Sequence, residues 1–259
     1  AWLSAAYMAP YATLSIALFK IRTQYGLRPF AQWSILIFVL ASSLNLLVDD
    51  LHSALVVRFI SGCAAAPISS LGFLYVLEAF PLQRKLNQGL KVALLGTLLA
   101  APIARMISPS LLQIDGWHAL YTLEVGLALI SMVVIFALPV TPPPRAKVIE
   151  RLDILSYLLM AIGIGCLAVF LTLGRLYWWF ETWWLGALLA AAIAFIAMTA
   201  LIESHRQNPM LDFRWIFSRS NLHMAAVLLV FRAVSSEQSS TAVSFFQQIG
   251  LLNDQQFTL

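Results

Sequence analysis

Three charged residues stand inside long apolar segments of this chain and are the first candidates for chemistry. They are Arg58, Arg105 and Glu124. A charge within a membrane-spanning helix is costly, so such a residue is by default a functional hypothesis. A carboxylate there can bind and release a proton, and a nearby guanidinium favours its ionised form. The alternative for each residue is a local pair, or a side chain that reaches the lipid headgroups and only stabilises the protein.

Arg232 and Glu237 form a second pair of charges, five residues apart in a weaker apolar segment. This spacing does not favour a direct contact on one helix face, where neighbours are three or four residues apart. Two interpretations stay open for these residues: they line a polar pathway, or they hydrogen-bond to a neighbouring helix.

Small residues and prolines accompany these charges. Gly62 and Ala66 are four residues apart, and small residues at this spacing let membrane helices approach closely. Pro67 and Pro102 interrupt the hydrogen-bond ladders of two apolar segments. Such a helix either bends during a conformational cycle or carries a static kink.

The sequence gives little support for other chemistry. Cys63 and Cys166 lie inside apolar segments and are predicted to be packing residues. The scattered histidines and the acidic residues near them have no spacing that requires a metal ion. No nucleophile elbow, P-loop or dinucleotide-binding glycine pattern occurs. We therefore expect no cofactor, no metal site and no enzymatic activity.

The elements that must position the charges are membrane helices. Apolar residues make up 61% of the 259 residues and charged residues 11%, against about 45–50% and about 25% in soluble domains. A spanning helix needs roughly 20 mostly apolar residues. Eight segments fit this description: Leu3–Phe19, Gln32–Val48, Ala54–Leu77, Leu90–Leu112, Leu120–Val140, Asp153–Gly174, Trp183–Ile202 and, more weakly, Leu222–Phe246. The predicted fold class is an all-α, polytopic transmembrane helix bundle.

The positions of the lysines and arginines predict the orientation of the bundle. Of the 16 basic residues, 12 fall in alternate loops, beginning with Lys20, Arg22 and Arg28 in the first loop. The positive-inside rule places these loops in the cytoplasm. Because topology and anionic lipid account for the net charge of +4, the expected partner is the lipid bilayer and no nucleic acid.

Several motifs resemble those of the major facilitator superfamily. The run Arg58-x-x-x-Gly62-x-x-x-Ala66-Pro67 resembles the motif of its fourth helix, with Ala66 where the family usually has glycine. Residues 117–126 resemble the start of helix six in the fourteen-helix drug:proton antiporters, with Glu124 in place of an asparagine. Residues 208–217 resemble the loop before helix nine of that branch. The resemblance implies the major facilitator fold, incomplete in this chain, with the eight segments as helices two to nine.

The same resemblance implies a division of the chain into three parts. Residues 1–140 would be most of the N-terminal transmembrane bundle, residues 141–220 a two-helix insertion with cytoplasmic linkers, and residues 221–259 the start of the C-terminal transmembrane bundle. Helix one and helices ten to fourteen would lie outside the chain. We therefore expect the chain to be part of a longer protein.

The first loop departs from the gate motif of the family. Gly26 and Arg28 match that motif, but Thr23 and Gln24 stand where the family has the aspartate and arginine of a charge relay. The glycines of the antiporter motif in helix five are also absent, and Arg105 occupies their neighbourhood. These departures keep two alternatives open: uptake or uniport of a narrow substrate, and a non-transporting sensor or scaffold.

The function that the resemblance implies is secondary transport across a cell membrane, here a bacterial inner membrane. The expected activity is export of amphipathic or cationic small molecules coupled to protons, and a periplasmic adaptor protein is an implied partner. The coupling candidates are Arg58, Glu124, Arg105, Arg232 and Glu237.

Overall fold

The protein is a bundle of long helices with largely outward-facing apolar side chains. The computed structural model describes residues 2–48, 50–78, 80–81, 88–138, 147–174, 176–179, 181–206 and 208–248, without the side chains of 78, 232 and 235–248. The elements are α1 (Trp2–Tyr25), α2 (Leu27–Leu44), a 3-10 turn (Asn45–Leu47), α3 (Leu51–Glu78), α4 (Leu90–Ala137), α5 (Arg151–Leu173), α6 (Trp183–Ser204), α7 (Phe213–Ile216) and α8 (Arg219–Gln248). The described residues contain no strand, and the predicted all-α fold class is confirmed.

Helix α4 consists of two membrane helices. Its 48 residues would measure about 72 Å as a straight helix, more than twice the roughly 30 Å of bilayer hydrocarbon. Asp115 (φ −147°, ψ 29°) and Gly116 (φ 57°, ψ −136°) interrupt the helix. The positive φ of Gly116 is a conformation that glycine adopts without a steric penalty. The first half, residues 90–114, and the second half, residues 117–137, are therefore the fourth and fifth predicted segments.

Helix lengths agree with a membrane protein. Six helices of the described residues are long and apolar enough to cross a membrane, and the two halves of α4 bring the number of spans to seven. Helix α8 differs, since its apolar part is only Arg219–Phe231 although the helix continues to Gln248. Large apolar side chains face outward, for example Trp183 at 85% and Ile114 at 76% exposure. A hydrocarbon solvent makes such exposure favourable.

Packing is closest where small residues let two helices meet. Helix α3 lies along α1 and α2, α2 also packs on α4, and α5 packs on both α1 and α6. A Cβ atom on Gly62 would overlap the carbonyl oxygen of Tyr7 and stand 2.9 Å from Cγ of Pro10. Ala66, one turn further along α3, is 1% exposed. The α1–α3 contact thus depends on the absence of a side chain at Gly62.

A single residue joins α1 to α2. The sequence predicted a loop between Phe19 and Gln32, but both helices are longer than the apolar segments and only Gly26 lies between them. Its backbone has φ 91° and ψ 153°, and its N–H donates to the carbonyl of Arg22 at 2.9 Å. The hydrogen bond ends α1, and the positive φ turns the chain directly into α2.

Replacing Gly26 by alanine is expected to lower the free energy of unfolding by about 1–2 kcal/mol, the cost of a left-handed backbone for a residue with a Cβ. The measurement is the Tm of the purified protein in detergent. Gly72→Ala is the matched control, because a Cβ at Gly72 in α3 meets nothing within 4 Å. Equal Tm values for the two variants would show that the turn carries no such strain.

Candidate functional site

A polar cavity of about 380 Å³ lies in the half of the bundle predicted to face outward. It is lined from α1, α2, α3 and the second half of α4. The lining residues are Tyr7, Phe38, Arg58, Ser61, Ala65, Ile68, Ser69 and Glu124. Two of the three charges predicted to lie at similar depth, Arg58 and Glu124, therefore face the same space.

The lengths of the helices explain this convergence. Arg58 is seven residues from the start of α3 at Leu51, and Glu124 is eight residues beyond Gly116. At 1.5 Å per residue both lie about 10–12 Å from the same end of the bundle. Because their helices run in the same direction from that end, two residues far apart in the chain reach equal depth.

Arg58 contacts α4 through an aromatic residue. Its Nη2 donates a hydrogen bond to the hydroxyl of Tyr121 at 3.3 Å, and its Cζ lies 5.9 Å from the centroid of the Tyr121 ring. A guanidinium at this distance is attracted by the face of an aromatic ring. Tyr121 and Glu124 are three residues apart, so they share one face of α4. That face presents both an anchor for Arg58 and the carboxylate.

Glu124 has a neutral hydrogen-bond partner. The hydroxyl of Ser42 in α2 donates to Oε1 of Glu124 at 3.1 Å. Among the described ion pairs, none joins Arg58 to Glu124. Nearby, the amide of Asn45 donates to the hydroxyl of Ser61 at 3.3 Å. Glu124 is therefore held by a neutral hydroxyl in a cavity that the Arg58 cation also lines.

A second and larger cavity of about 590 Å³ opens nearer the outer end. Arg58 lines both cavities, and Tyr121 lines the larger one. The remaining lining residues of this larger cavity are Leu3, Asn45, Val48, Ala54, Asp115, Gly116, Trp117 and His118. Arg58 and its partner Tyr121 therefore stand where the outer cavity meets the inner one.

The other predicted residues lie away from these cavities. Arg105 is half-buried in the first half of α4, and the described lining of both cavities does not include it. The structure thus brings together Arg58 and Glu124 but not Arg105. Arg28 is exposed at the start of α2, and Pro102 is exposed in α4. Helices α3 and α4 continue through Pro67 and Pro102.

Two candidates, Arg232 and Glu237, are on α8. Their side chains lie outside the described part of the structure. Both residues stay predictions from the sequence.

At the end predicted to face the cytoplasm, the structure contains a group of charges, buried except for Glu150, that sequence reasoning missed. We call it the Asp153 cluster, and its members are Lys20, Glu150, Asp153, Glu203 and Arg206. Oδ1 of Asp153 lies 2.8 Å from Nζ of Lys20 and 2.7 Å from Nη1 of Arg206. Arg206 also contacts Glu203 and Glu150, each at 2.9 Å. The cluster joins the ends of α1, α5 and α6.

Local structure places Asp153 at the centre of the cluster. Glu150 caps the N-terminus of α5 in a capping box, in which Oδ2 of Asp153 accepts a hydrogen bond from the backbone N–H of Glu150 at 2.9 Å. Such reciprocal bonds satisfy backbone donors that the first helical turn leaves free. This bond occupies one oxygen of Asp153 and leaves the other for the two cations.

The chain following α6 is bound into the same cluster. Lys20 donates to the backbone carbonyl of Asn208 at 3.1 Å, and the backbone N–H of Met210 donates to Oε2 of Glu203. Burial of the Arg206 guanidinium lowers its pKa, but hydrogen bonds to Glu150, Asp153 and Glu203 outweigh this and hold the pKa above the usual value for arginine. Arg206 is therefore a permanent positive charge within the cluster.

One sequence signal could have revealed part of the cluster. Glu203 and Arg206 are three residues apart at the end of an apolar segment, and Glu150 and Asp153 have the same spacing at the start of another. Both spacings are typical of pairs at helix ends. Neither spacing indicates that the two ends meet, or that Lys20 joins them.

The outermost contact of the cluster should weaken in acid. Hydrogen bonds from Arg206 and then from Asn208 hold the pKa of Glu150 below its ordinary value of 4.5, against a smaller opposing effect of burial. A lowered pKa in the folded state means that the stabilisation is complete above the ordinary pKa and is lost as pH falls through the folded value. We expect the Tm difference between the wild type and Glu150→Gln to be constant near neutral pH and to shrink in acid. A difference that grows on acidification would contradict this assignment.

Long apolar helices, buried charges at one end and a polar internal cavity at the other define a polytopic helical membrane protein with an interior suited to small solutes. The chain belongs to the Major Facilitator Superfamily, whose family model matches residues 1–235. The family resemblance predicted from the motifs is thus confirmed.

Curated relatives of the chain include named exporters. The multidrug export protein EmrB of Haemophilus influenzae is 25% identical over 194 residues, which is 72% of this chain and 36% of that protein. The tetracenomycin C resistance and export protein of Streptomyces glaucescens is 27% identical over 252 residues, or 95% of this chain and 45% of that protein. The multidrug transporter protein MdtP of Bacillus subtilis is 22% identical, with the same two shares. The chain spans less than half the length of these relatives.

Proposed function

We propose that this chain forms part of a proton-driven exporter of amphipathic or cationic small molecules. The single observation that carries the proposal is the placement of Arg58 and Glu124 on one cavity in the outer half of the bundle. The names of the relatives, which include multidrug and tetracenomycin C export proteins, support export as the direction. The periplasmic adaptor protein stays a prediction of the resemblance.

Competition for Glu124 is the proposed coupling step. Ionised Glu124 attracts a cationic substrate into the cavity, where Tyr7, Phe38 and Ile68 offer an apolar and aromatic surface. A proton that arrives through the outer cavity neutralises Glu124 and removes this attraction, so the substrate is released. Because proton and cation share one carboxylate, the entry of one is coupled to the exit of the other.

Arg58 has two roles in this scheme. Its positive charge opposes a cationic substrate in the cavity that it shares with Glu124. Its contact with Tyr121 holds it between the two cavities. Movement of the guanidinium away from Tyr121 would connect them and give protons access from the outer side.

The proposal is tested by dye transport in everted vesicles that contain the full-length protein under an imposed proton gradient. Arg58→Ala is expected to reduce gradient-driven transport about ten- to a hundredfold, since hydrogen bonds made by charged groups contribute about 1.5–3 kcal/mol. Arg151→Ala is the matched control, because Arg151 is exposed at the start of α5. Equal transport by both variants would remove Arg58 from the pathway.

Two other candidate functions are uptake or uniport of a narrow substrate, which the missing glycines of the antiporter motif favour, and a non-transporting role, which Thr23 and Gln24 in place of the gate charges favour. Thr23 donates to the carbonyl of Phe19 at 2.9 Å, and Oε1 of Gln24 accepts from the backbone N–H of Ile149 at 3.0 Å. These neutral residues make structural contacts and supply no charges for a gate. The direction of dye movement in the same vesicles separates export from uptake, and an absence of movement with every dye would favour a non-transporting protein.

A further inference from the structure

Helices α5 and α6 form a tight pair. A Cβ atom on Gly163 of α5 would stand 2.9 Å from Cγ1 of Ile196 on α6. At the outer end of α5, the turn that leads to α6 also packs closely, since a Cβ on Gly174 would overlap the ring of Trp179. Two helices with so little space between them cannot slide past each other without repacking.

This pair is joined to α1 along its length. Helix α5 packs on α1, and Leu14 of α1 and Tyr157 of α5 line one cavity between the two helices. At the cytoplasmic end, Lys20 and Gln24 of α1 hold Asp153 and the backbone of Ile149. These contacts therefore join α1 directly to the start of α5, in addition to the chain connection from α4.

Buried charges make this junction difficult to open. The side chains of Lys20 and Asp153 are each 6% exposed and that of Arg206 is 8% exposed. Separation of α1 from α5 would take the carboxylate partner from the buried Lys20 cation, which is strongly unfavourable. The contacts from Lys20 to Asn208 and from Met210 to Glu203 extend the same unit to Met210.

Among the described contacts, those of the cluster end at Met210. Helix α7, which follows, has four residues, and the side chain of Asp212 caps it through the N–H groups of Arg214 and Trp215. Helix α7 in turn packs on α6 and on α8. Residues 211–218 therefore form a short connection between the cluster and the long helix α8.

We propose that α5 and α6 move as one rigid unit with α1, and that the mechanical joint towards the second bundle lies at residues 211–218. The proposal rests on the proposed transport function for its movement, but the cohesion of the unit is separate from it. Residues 141–220 are predicted as an insertion between two bundles. In this proposal α5 and α6 move with the first bundle, and only the segment after Met210 changes its backbone conformation when the bundles rotate. Hinges of this kind are a few loop or helix-end positions.

Spin-label distances in the full-length protein test the proposal. Labels are attached to cysteines at exposed positions, in a protein without its other cysteines. One pair, Met8→Cys with Leu155→Cys, reports on α1 and α5; the other, Leu155→Cys with Leu229→Cys, reports on α5 and α8. Distances are measured in lipid nanodiscs at neutral and acidic pH, with and without a transported dye. We expect one invariant α1–α5 distance and a broad or shifting α5–α8 distance.

The possible outcomes are all decisive. A change in the α1–α5 distance would overturn the rigid unit, and a single invariant α5–α8 distance would overturn the joint. Dye transport by the same labelled proteins reports on the proposed function, so its failure is distinguished from failure of the joint. Asp153→Asn should broaden the α1–α5 distance, whereas Arg151→Gln on the same helix should not. If Asp153→Asn does not fold, the two label pairs in the protein with Asp153 intact still test the proposal.

Discussion

Replacement of Asp153 by alanine is expected to destabilise the protein by about 3–5 kcal/mol, because removal of one partner leaves buried charge without compensation. The cost falls mainly on Lys20. Arg206 keeps Glu150 and Glu203 as partners, but among the described contacts Lys20 keeps only its hydrogen bond to the carbonyl of Asn208. The α5 capping box also loses its reciprocal bond.

The measurement is the Tm of detergent-purified protein. Asp153→Asn should lie between the wild type and Asp153→Ala, since an amide oxygen can still accept one hydrogen bond but carries no charge. Glu181→Ala in an exposed outer turn is the control for loss of a carboxylate. If the Tm of Asp153→Ala equals that of Glu181→Ala, the Asp153 cluster does not stabilise the fold.

Glu124→Gln is expected to abolish transport driven by a proton gradient while energy-independent exchange of an uncharged amphipathic substrate continues. Glutamine has nearly the same shape and can still accept the hydrogen bond from Ser42. It cannot ionise, so the proton has no carboxylate to neutralise. The expected loss is therefore in coupling, and binding of uncharged amphipathic compounds should be little changed.

Two assays in the same vesicles separate these effects: gradient-driven dye accumulation, and exchange of labelled for unlabelled substrate without a gradient. Glu181→Gln supplies the same chemical change at an exposed position. Gradient-driven transport that survives Glu124→Gln would assign the proton to another carboxylate. Loss of both activities would indicate that Glu124 shapes the cavity and does not couple protons.

The hydropathy of the sequence predicted the membrane helices well, because a spanning helix must be apolar along its whole length. It predicted their ends less well. Helix α1 continues through Lys20 and Arg22 to Tyr25, since a helix can leave the hydrocarbon and stay hydrogen-bonded. The division between the fourth and fifth segments was also predictable, because Asp115 and Gly116 form a polar break with a glycine.

Depth within the membrane was predictable, but the direction in which each side chain points was not. Counting residues from the helix ends placed Arg58, Glu124 and Arg105 in the same half of the bundle. Only Arg58 and Glu124 line the inner cavity, since this also requires the rotation of each helix about its axis. A membrane helix has almost no dominant apolar face. The sequence pattern therefore does not predict how the helix is rotated about its axis.

The Asp153 cluster could not be predicted for a different reason. Lys20 and Asp153 are 133 positions apart, and Asp153 and Arg206 are 53 apart. Their meeting depends on which helices are neighbours, a property of the fold. The basic residues had already been explained by membrane topology, and nothing in the sequence distinguishes Lys20, which is buried, from Arg28, which is exposed.

The long separation between Lys20 and Asp153 has a consequence for biosynthesis. At about 5–20 residues per second, a ribosome needs roughly 7–27 seconds to make the intervening chain. During this interval Lys20 is without its carboxylate, and its flexible stem can place the ammonium among lipid phosphates. The C-terminal end of α1 therefore reaches its final environment only after α5 has entered the membrane. A nascent chain halted before Asp153 would present an unpaired lysine, a feature by which membrane quality control could distinguish unfinished copies from finished ones.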